Sequence, residues 1–163
     1  MRLIKSNKNN CVYASVAMLL GVSLDKAYEL LHNKDAKIGE KPFTGIYKDF
    51  EVVPDMAVIC DSLWSKKRIG LTPFYFDPTC SPHPNCQPIS TWKNPKASFK
   101  LQLGFGSGLL EGKTEKCGHM CAWDGQVIFD PRGHIYSYDL AEIMNFEINR
   151  FWLKVEEGST CQG

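Results

Sequence analysis

The chain has little excess charge of either sign: nineteen Lys and Arg stand against eighteen Asp and Glu, a formal net charge of +1. That balance argues against a strongly basic nucleic-acid binder. No apolar run reaches the ~18 residues that a membrane-spanning helix needs. There is also no internal repeat and no low-complexity tract. With 44% hydrophobic residues the composition is not that of a disordered chain, and 163 residues suit one domain with a sizeable core.

Cysteine, by contrast, is plentiful: Cys11, Cys60, Cys80, Cys86, Cys117, Cys121 and Cys161. In a secreted protein an odd count suggests disulfides with one thiol left over. The basic residues Arg2, Lys5 and Lys8 before the apolar stretch from Val12 to Leu20 have the outline of a secretory signal. However, Asn7, Asn9 and Asn10 interrupt the front. No small-x-small cleavage site follows, and Gly21-Val22-Ser23 runs straight into a charged segment. The expectation is a cytoplasmic protein with mostly reduced thiols, and with no membrane or nucleic-acid partner.

The first third reads as helical. Asn9 or Asn10 can cap a helix starting near Cys11. Val12 to Leu20 leaves almost no polar face, which marks a buried helix. Gly21 is its expected stop, and Ser23 caps a second helix with Leu24, Ala27, Tyr28 and Leu31 on one stripe. Residues 33–54 read as a loop. Asp55 can cap a third helix with Met56, Ile59, Cys60 and Leu63 on one face, and Thr72 to Phe76 suits a short strand. Residues 77–95 hold five prolines and read as an irregular insertion.

The last third reads as strands. Phe99, Leu101, Leu103 and Phe105 alternate with Lys100, Gln102 and Gly104. Asp124-Gly125 is a two-residue hairpin signal joining residues near 118–123 to residues near 126–130. A short helix near 139–145 and a strand near 150–155 complete the order. The expected class is α+β, with N-terminal helices packed on a C-terminal antiparallel sheet.

Two features carry chemistry. Cys11 falls at the first turn of a helix, where unpaired N–H groups and the dipole favour a thiolate; it also suits a plain buried thiol. The second feature is the hairpin. If Asp124-Gly125 is the turn, Trp123 pairs with Gln126 and His119 lies opposite Asp130. Opposed residues share a sheet face, so an imidazole meets a carboxylate. A thiol, an imidazole and an orienting acid make a nucleophilic triad; a solvated charge pair is the bland alternative.

The segment Asn10-Cys11-Val12-Tyr13-Ala14-Ser15-Val16-Ala17-Met18-Leu19-Leu20-Gly21 resembles the catalytic-cysteine helix of papain-like cysteine peptidases, closest to the double-glycine leader peptidases and their small phage or bacterial relatives. Gly118-His119-Met120-Cys121-Ala122-Trp123-Asp124-Gly125, continuing to Phe129-Asp130-Pro131-Arg132-Gly133, resembles that branch's histidine–aspartate hairpin. The resemblance implies a single papain-like domain over 1–163. It makes Cys11 the nucleophile, His119 the general base and acid, and Asp130 the orienting residue. The substrate it implies is a protein or peptide, no cofactor is needed, and a phage or bacterial accessory role is suggested. One departure stands out. The family usually has an oxyanion-donating glutamine about six residues before the cysteine, where this chain has Lys5. Asn7 and Asn9 are the candidate substitutes. Losing one such donor costs about 2.7–4 kcal/mol of transition-state stabilisation. The alternative function is therefore a weakly active or inactive papain-like interaction module, with structural zinc as an option; an amidase, a ubiquitin-like deconjugase or a transglutaminase-like acyl transferase could also use the same trio.

Two further patterns compete. Cys80, His83, Cys86, Cys117 and Cys121 are alternative zinc ligands, but the tight Cys-x-x-Cys knuckle is missing and alternate strand residues do not converge readily on one ion. A Cys80–Cys86 disulfide would need an oxidising compartment. Gly104 to Thr114 is a near miss for a phosphate loop: Ser107 stands where glycine is required and no apolar helix follows. A glycine-rich strand end or a loop bordering the site fits it better.

Overall fold

The computed structural model describes residues 1–6, 10–31, 54–75, 87–88, 103–104 and 106–156. The loop expected at 33–54 lies almost wholly outside these residues. So do all but Gln87–Pro88 of the 77–95 insertion and all but Leu103 and Gly104 of the strand expected at 99–105.

Among the described residues, three helices precede all the strands of the sheet. Helix α1 spans Cys11–Leu20, and every residue from Val12 to Leu19 is buried. Gly21 ends it in the left-handed conformation (φ 66°), returning its N–H to the last turn. The expected Asn10 cap is not made. At φ −103° and ψ 8° the residue lacks the extended backbone that aims a capping side chain at the first turn. Helix α2 spans Leu24–Leu31 with Ser23 Oγ accepting from Lys26 N, and it buries Ala27, Leu30 and Leu31. Helix α3 spans Met56–Lys67, and Asp55 accepts from Val58 N as a true cap.

The strands are β1 (Ile69–Tyr75), β2 (Gln87–Pro88), β3 (Gly108–Lys113), β4 (Gly118–Trp123), β5 (Val127–Asp130), β6 (His134–Ser137) and β7 (Glu147–Glu156). They form one sheet in the order β2-β1-β7-β3-β4-β5-β6. All neighbours are antiparallel except the short β1–β2 pair. The class is thus α+β, helices first and sheet after. Leu103 is helical and Gly104 lies in a turn rather than in the expected strand, and Trp123 Nε1 donates to the Leu103 carbonyl at 2.7 Å. The expected helix near 139–145 is a single 3-10 turn, Tyr138–Leu140, followed by further turns.

Strand alternation splits the core into two layers. Leu109, Met120 and Trp152 face Val12, Tyr13, Val16 and Ala17 of α1, together with Ile59 and Leu63 of α3. Their neighbours Leu110, Cys121, Trp123 and Phe151 turn to the opposite face and meet Ile128, Tyr136 and Phe146. The buried Ser15 hydroxyl ties α1 to the sheet by donating to the Met120 carbonyl at 2.9 Å. A phosphate loop is ruled out over Gly108–Lys113, because those residues are the central strand β3.

Glycine is required in β3 for close approach. A Cβ at Gly112 would collide with the Glu147 backbone of β7, where the β3–β7 register shifts. Gly112→Ala should therefore lower the unfolding free energy by about 1–3 kcal/mol, the usual cost of overpacking. This is read as a fall in urea midpoint with an unchanged m-value. An unaltered midpoint would mean that β3 and β7 part easily.

Candidate functional site

The hairpin that carries His119 differs from the expected one by one residue in its turn. Asp124 N donates to the Val127 carbonyl, which leaves Gly125 and Gln126 at the centre. Gly125 has φ 103°, the glycine-first pattern of a type II′ hairpin turn. The Asp124 carboxylate caps the turn by accepting from Gln126 N and Val127 N, both at 2.9 Å. The pairs are consequently Ala122 with Phe129 and Trp123 with Ile128. The register has moved by two residues from the expected one, and extending it sets Asp130 opposite Cys121 rather than His119. Because side chains alternate with period two, an even shift keeps His119 and Asp130 on the same face. They meet on the diagonal, with His119 Nε2 and Asp130 Oδ1 2.9 Å apart.

A second hairpin shapes the acid. Asp130-Pro131-Arg132-Gly133 forms a tight turn with Gly133 N donating to the Asp130 carbonyl and Gly133 at φ 104°. Asp130 Oδ1 also accepts from Arg132 N at 2.8 Å. Its Oδ2 accepts from Arg132 Nε (2.9 Å), Arg132 Nη2 (2.6 Å) and the Tyr136 hydroxyl (2.6 Å). Tyr136 reaches it from β6, where it pairs with Ile128, two residues before Asp130.

Asp130 is fully buried and His119 nearly so. Burial pushes the Asp130 carboxyl up, but hydrogen bonds from His119, Arg132 and Tyr136 outweigh it and hold the group well below the usual carboxylate range. Burial pushes His119 down. Side-chain hydrogen bonds to Asp130 and Cys11, with their negative charges, outweigh this and carry the ring up to about 9. Since Nε2 is committed to Asp130, Nδ1 is the nitrogen left for the Cys11 thiol. The Phe146 ring stands edge-on to the imidazole, with centroids 5.2 Å apart, and limits its rotation.

The group opens on a cleft of about 910 Å³ whose lining includes Ser6, Cys11, Val12, Gly112, His119 and Arg132. Cys11 sits at the N-terminus of α1, where the first backbone N–H groups have no partner within the helix. The structure thus gathers Cys11, His119 and Asp130 at one place. Asn7 and Asn9, the candidate oxyanion donors, lie outside the described residues. Lys5 is not in a glutamine-like role: its aliphatic stem lies against Gly133, and Ser6 N donates to the Pro131 carbonyl at 2.8 Å. Asn10 is wholly buried, and its amide has no hydrogen-bond partner among the described residues.

Of the alternative zinc ligands, Cys80, His83 and Cys86 lie outside the described residues, and the exposed Cys117 does not join Cys121 in a metal-sized group. Cys121 does approach His119 and Asp130, one ligand atom from each lying within 4.8 Å of the others. That trio is a poor cation site. Both carboxylate oxygens are already occupied by five hydrogen bonds, two of them from a guanidinium. The Cys121 thiol is pushed up by burial and by the Asp130 charge, so it stays protonated. Cys11, Cys60, Cys117 and Cys121 are all free thiols.

Arg132, Tyr136 and Ser6 are site residues to which the sequence reading assigned no role. The Asp-Pro-x-Gly turn signature could have placed Arg132 beside Asp130. Nothing local marks Tyr136 or Ser6. No single helix among the described residues is long and apolar enough to cross a membrane. No protein-family model, curated protein or solved structure matches this chain.

The ionisation of the pair makes stability depend on pH. The folded protein favours protonated His119, so this contribution is whole below the ordinary value of 6.5 and is lost as pH rises through about 9. Asp130 acts in the opposite sense: its contribution is present above the ordinary 3.8 and is lost as pH falls through its depressed folded value. The stability difference between the native chain and His119→Gln should shrink from pH 6.5 to 9 and then level off, as read from urea midpoints across pH. A difference that stays flat over that interval would mean that folding does not favour the protonated ring.

Proposed function

We propose that this chain is a papain-like thiol hydrolase acting on a protein or peptide substrate, with Cys11 as nucleophile, His119 as general base and acid, and Asp130 as orienting residue. The observation that carries this reading is the His119 ring, held by Asp130 on one nitrogen and interacting with Cys11 in the wall of a cleft.

His119 takes the Cys11 proton, and the thiolate attacks the substrate carbonyl carbon. The negative charge moves to the carbonyl oxygen, where the Cys11 N–H at the start of α1 supplies one donor. The tetrahedral species collapses as imidazolium protonates the leaving amine, which leaves a thioester on Cys11. Water, deprotonated by His119, then attacks the thioester. The acid product leaves and the thiol is restored. The buried Asp130 carboxylate fixes the ring tautomer by accepting from Nε2–H and stabilises the imidazolium formed twice in the cycle. The mechanism needs no metal or organic cofactor.

A second reading rests on one observation: the residue in the glutamine's place, Lys5, has its stem packed on Gly133 and offers no amide. On that reading the chain keeps the fold as an interaction module with weak or no activity.

Competitive alkylation separates the two. Cys117 is exposed and Cys11 only partly so. If exposure alone decided reactivity, Cys117 would label first. With limiting iodoacetamide near neutral pH, peptide mass spectrometry should instead find Cys11 labelled first. His119→Ala should slow Cys11 by roughly 10²-fold or more, the range of general-base contributions, and leave Cys117 unchanged. Cys117 labelling as fast as Cys11, or a His119→Ala variant as reactive as the native chain, would favour the module.

A further inference from the structure

We infer that Arg132 and Tyr136 are positioning residues of this site: together they lock the Asp130 carboxylate, ionised and in one orientation, against His119 Nε2. The inference rests on the thiol-hydrolase reading and deepens it.

The need for a lock follows from the register. Continued along the strands, it sets Asp130 opposite Cys121, and His119 is reached only on the diagonal. A carboxylate free to rotate would have no reason to aim at the ring. Arg132 and Tyr136 remove that freedom. Arg132 Nε and Nη2, with the Tyr136 hydroxyl, all donate to Oδ2. That leaves Oδ1 directed at His119, steadied by Arg132 N. Arg132 is itself anchored at its far end, because Nη2 also donates to the Met144 carbonyl at 2.7 Å. The guanidinium therefore braces the acid against the segment just before Phe146, the residue that flanks the imidazole.

A carboxyl with no exposed surface is driven towards its neutral form by burial. The titratable and charged groups that face it are His119 and Cys121 from β4, Arg132 from the turn, Tyr136 and the register partner His134 from β6 and, beyond the ring, Cys11 from α1. Of these, Arg132 donates to the carboxylate with a permanent positive charge that is independent of the catalytic cycle. His119 gains and loses its proton at each turnover, so it cannot by itself keep Asp130 ionised throughout. Tyr136 remains a neutral donor, because burial and the adjacent Asp130 charge raise it.

The test uses Arg132→Gln, Arg132→Lys and Tyr136→Phe in the full chain, each checked for folding by near-UV circular dichroism. Carbon-13 NMR of the aspartate carboxyls, with Asp130 assigned through Asp130→Asn, reads the lock directly. Native Asp130 should stay ionised to the acid limit of folding, whereas in Arg132→Gln it should titrate at a pH at least one higher. Cys11 alkylation near neutral pH should slow at least tenfold in Arg132→Gln and less in Arg132→Lys, which restores the charge without the paired donors. Tyr136→Phe should move both readouts in the same direction by less; it also carries the test if Arg132→Gln does not fold. Folded variants with native Asp130 titration would overturn the lock. Altered titration with native alkylation would overturn its catalytic role while leaving the hydrolase reading intact. A native Cys11 that is no faster than Cys117 would remove the hydrolase reading itself, and the positioning role with it.

Discussion

The site depends on one buried carboxylate. Asp130 has no solvent exposure and accepts five hydrogen bonds from three residues. Burying a charge is costly unless it is paired and fully hydrogen-bonded. The two hairpins on either side of β5 meet that condition. One delivers His119 and the other delivers Arg132 and Tyr136. The same bonds that make the charge tolerable give it a direction, because they fill one oxygen and leave the other facing the imidazole.

The rest of the fold brings a thiol to that imidazole. Helix α1 is apolar around nearly its whole circumference, so it can only sit inside, between α2 and the sheet. Its position is set by packing against Leu109, Met120 and Trp152 and by the Ser15 hydrogen bond to Met120. A helix held that firmly presents its first residue, Cys11, at one point of the cleft. Close approach of β3 to β7 at Gly112, which lines the same cleft, sets the other wall. The triad residues are thus carried by a buried helix and by strands β4 and β5, which hold geometry better than loops do.

Much of this was legible in the residues, and the misses have physical causes. The three helices follow from apolar spacing and from Ser23 and Asp55 as caps. Asn10 looked like a cap and is not one, because capping depends on backbone angles that sequence does not state. Asp124-Gly125 announced a hairpin correctly, but the turn closed one residue later and moved the register by two. The site survived that error because strand faces repeat every second residue. A shift of one would have sent Asp130 to the helix side of the sheet. The alternation over 99–105 suggested a strand, yet Leu103 is helical, and its carbonyl accepts from Trp123 Nε1, twenty residues away.

What the sequence determined by itself was local: a buried helix opening with a cysteine, a hairpin bearing histidine, aspartate on the strand that follows, and helices ahead of strands. Those properties arise from periodicity, turn chemistry and apolar content within short windows. Tertiary structure alone decided that Cys11 meets His119, some hundred residues away in the chain. It also decided that Asp130 reaches the ring on a diagonal, and that Arg132 and Tyr136 hold it there. Such pairings depend on how far each strand slides before its neighbour locks it and on which side chains then converge around a buried charge. No window of neighbouring residues contains that information.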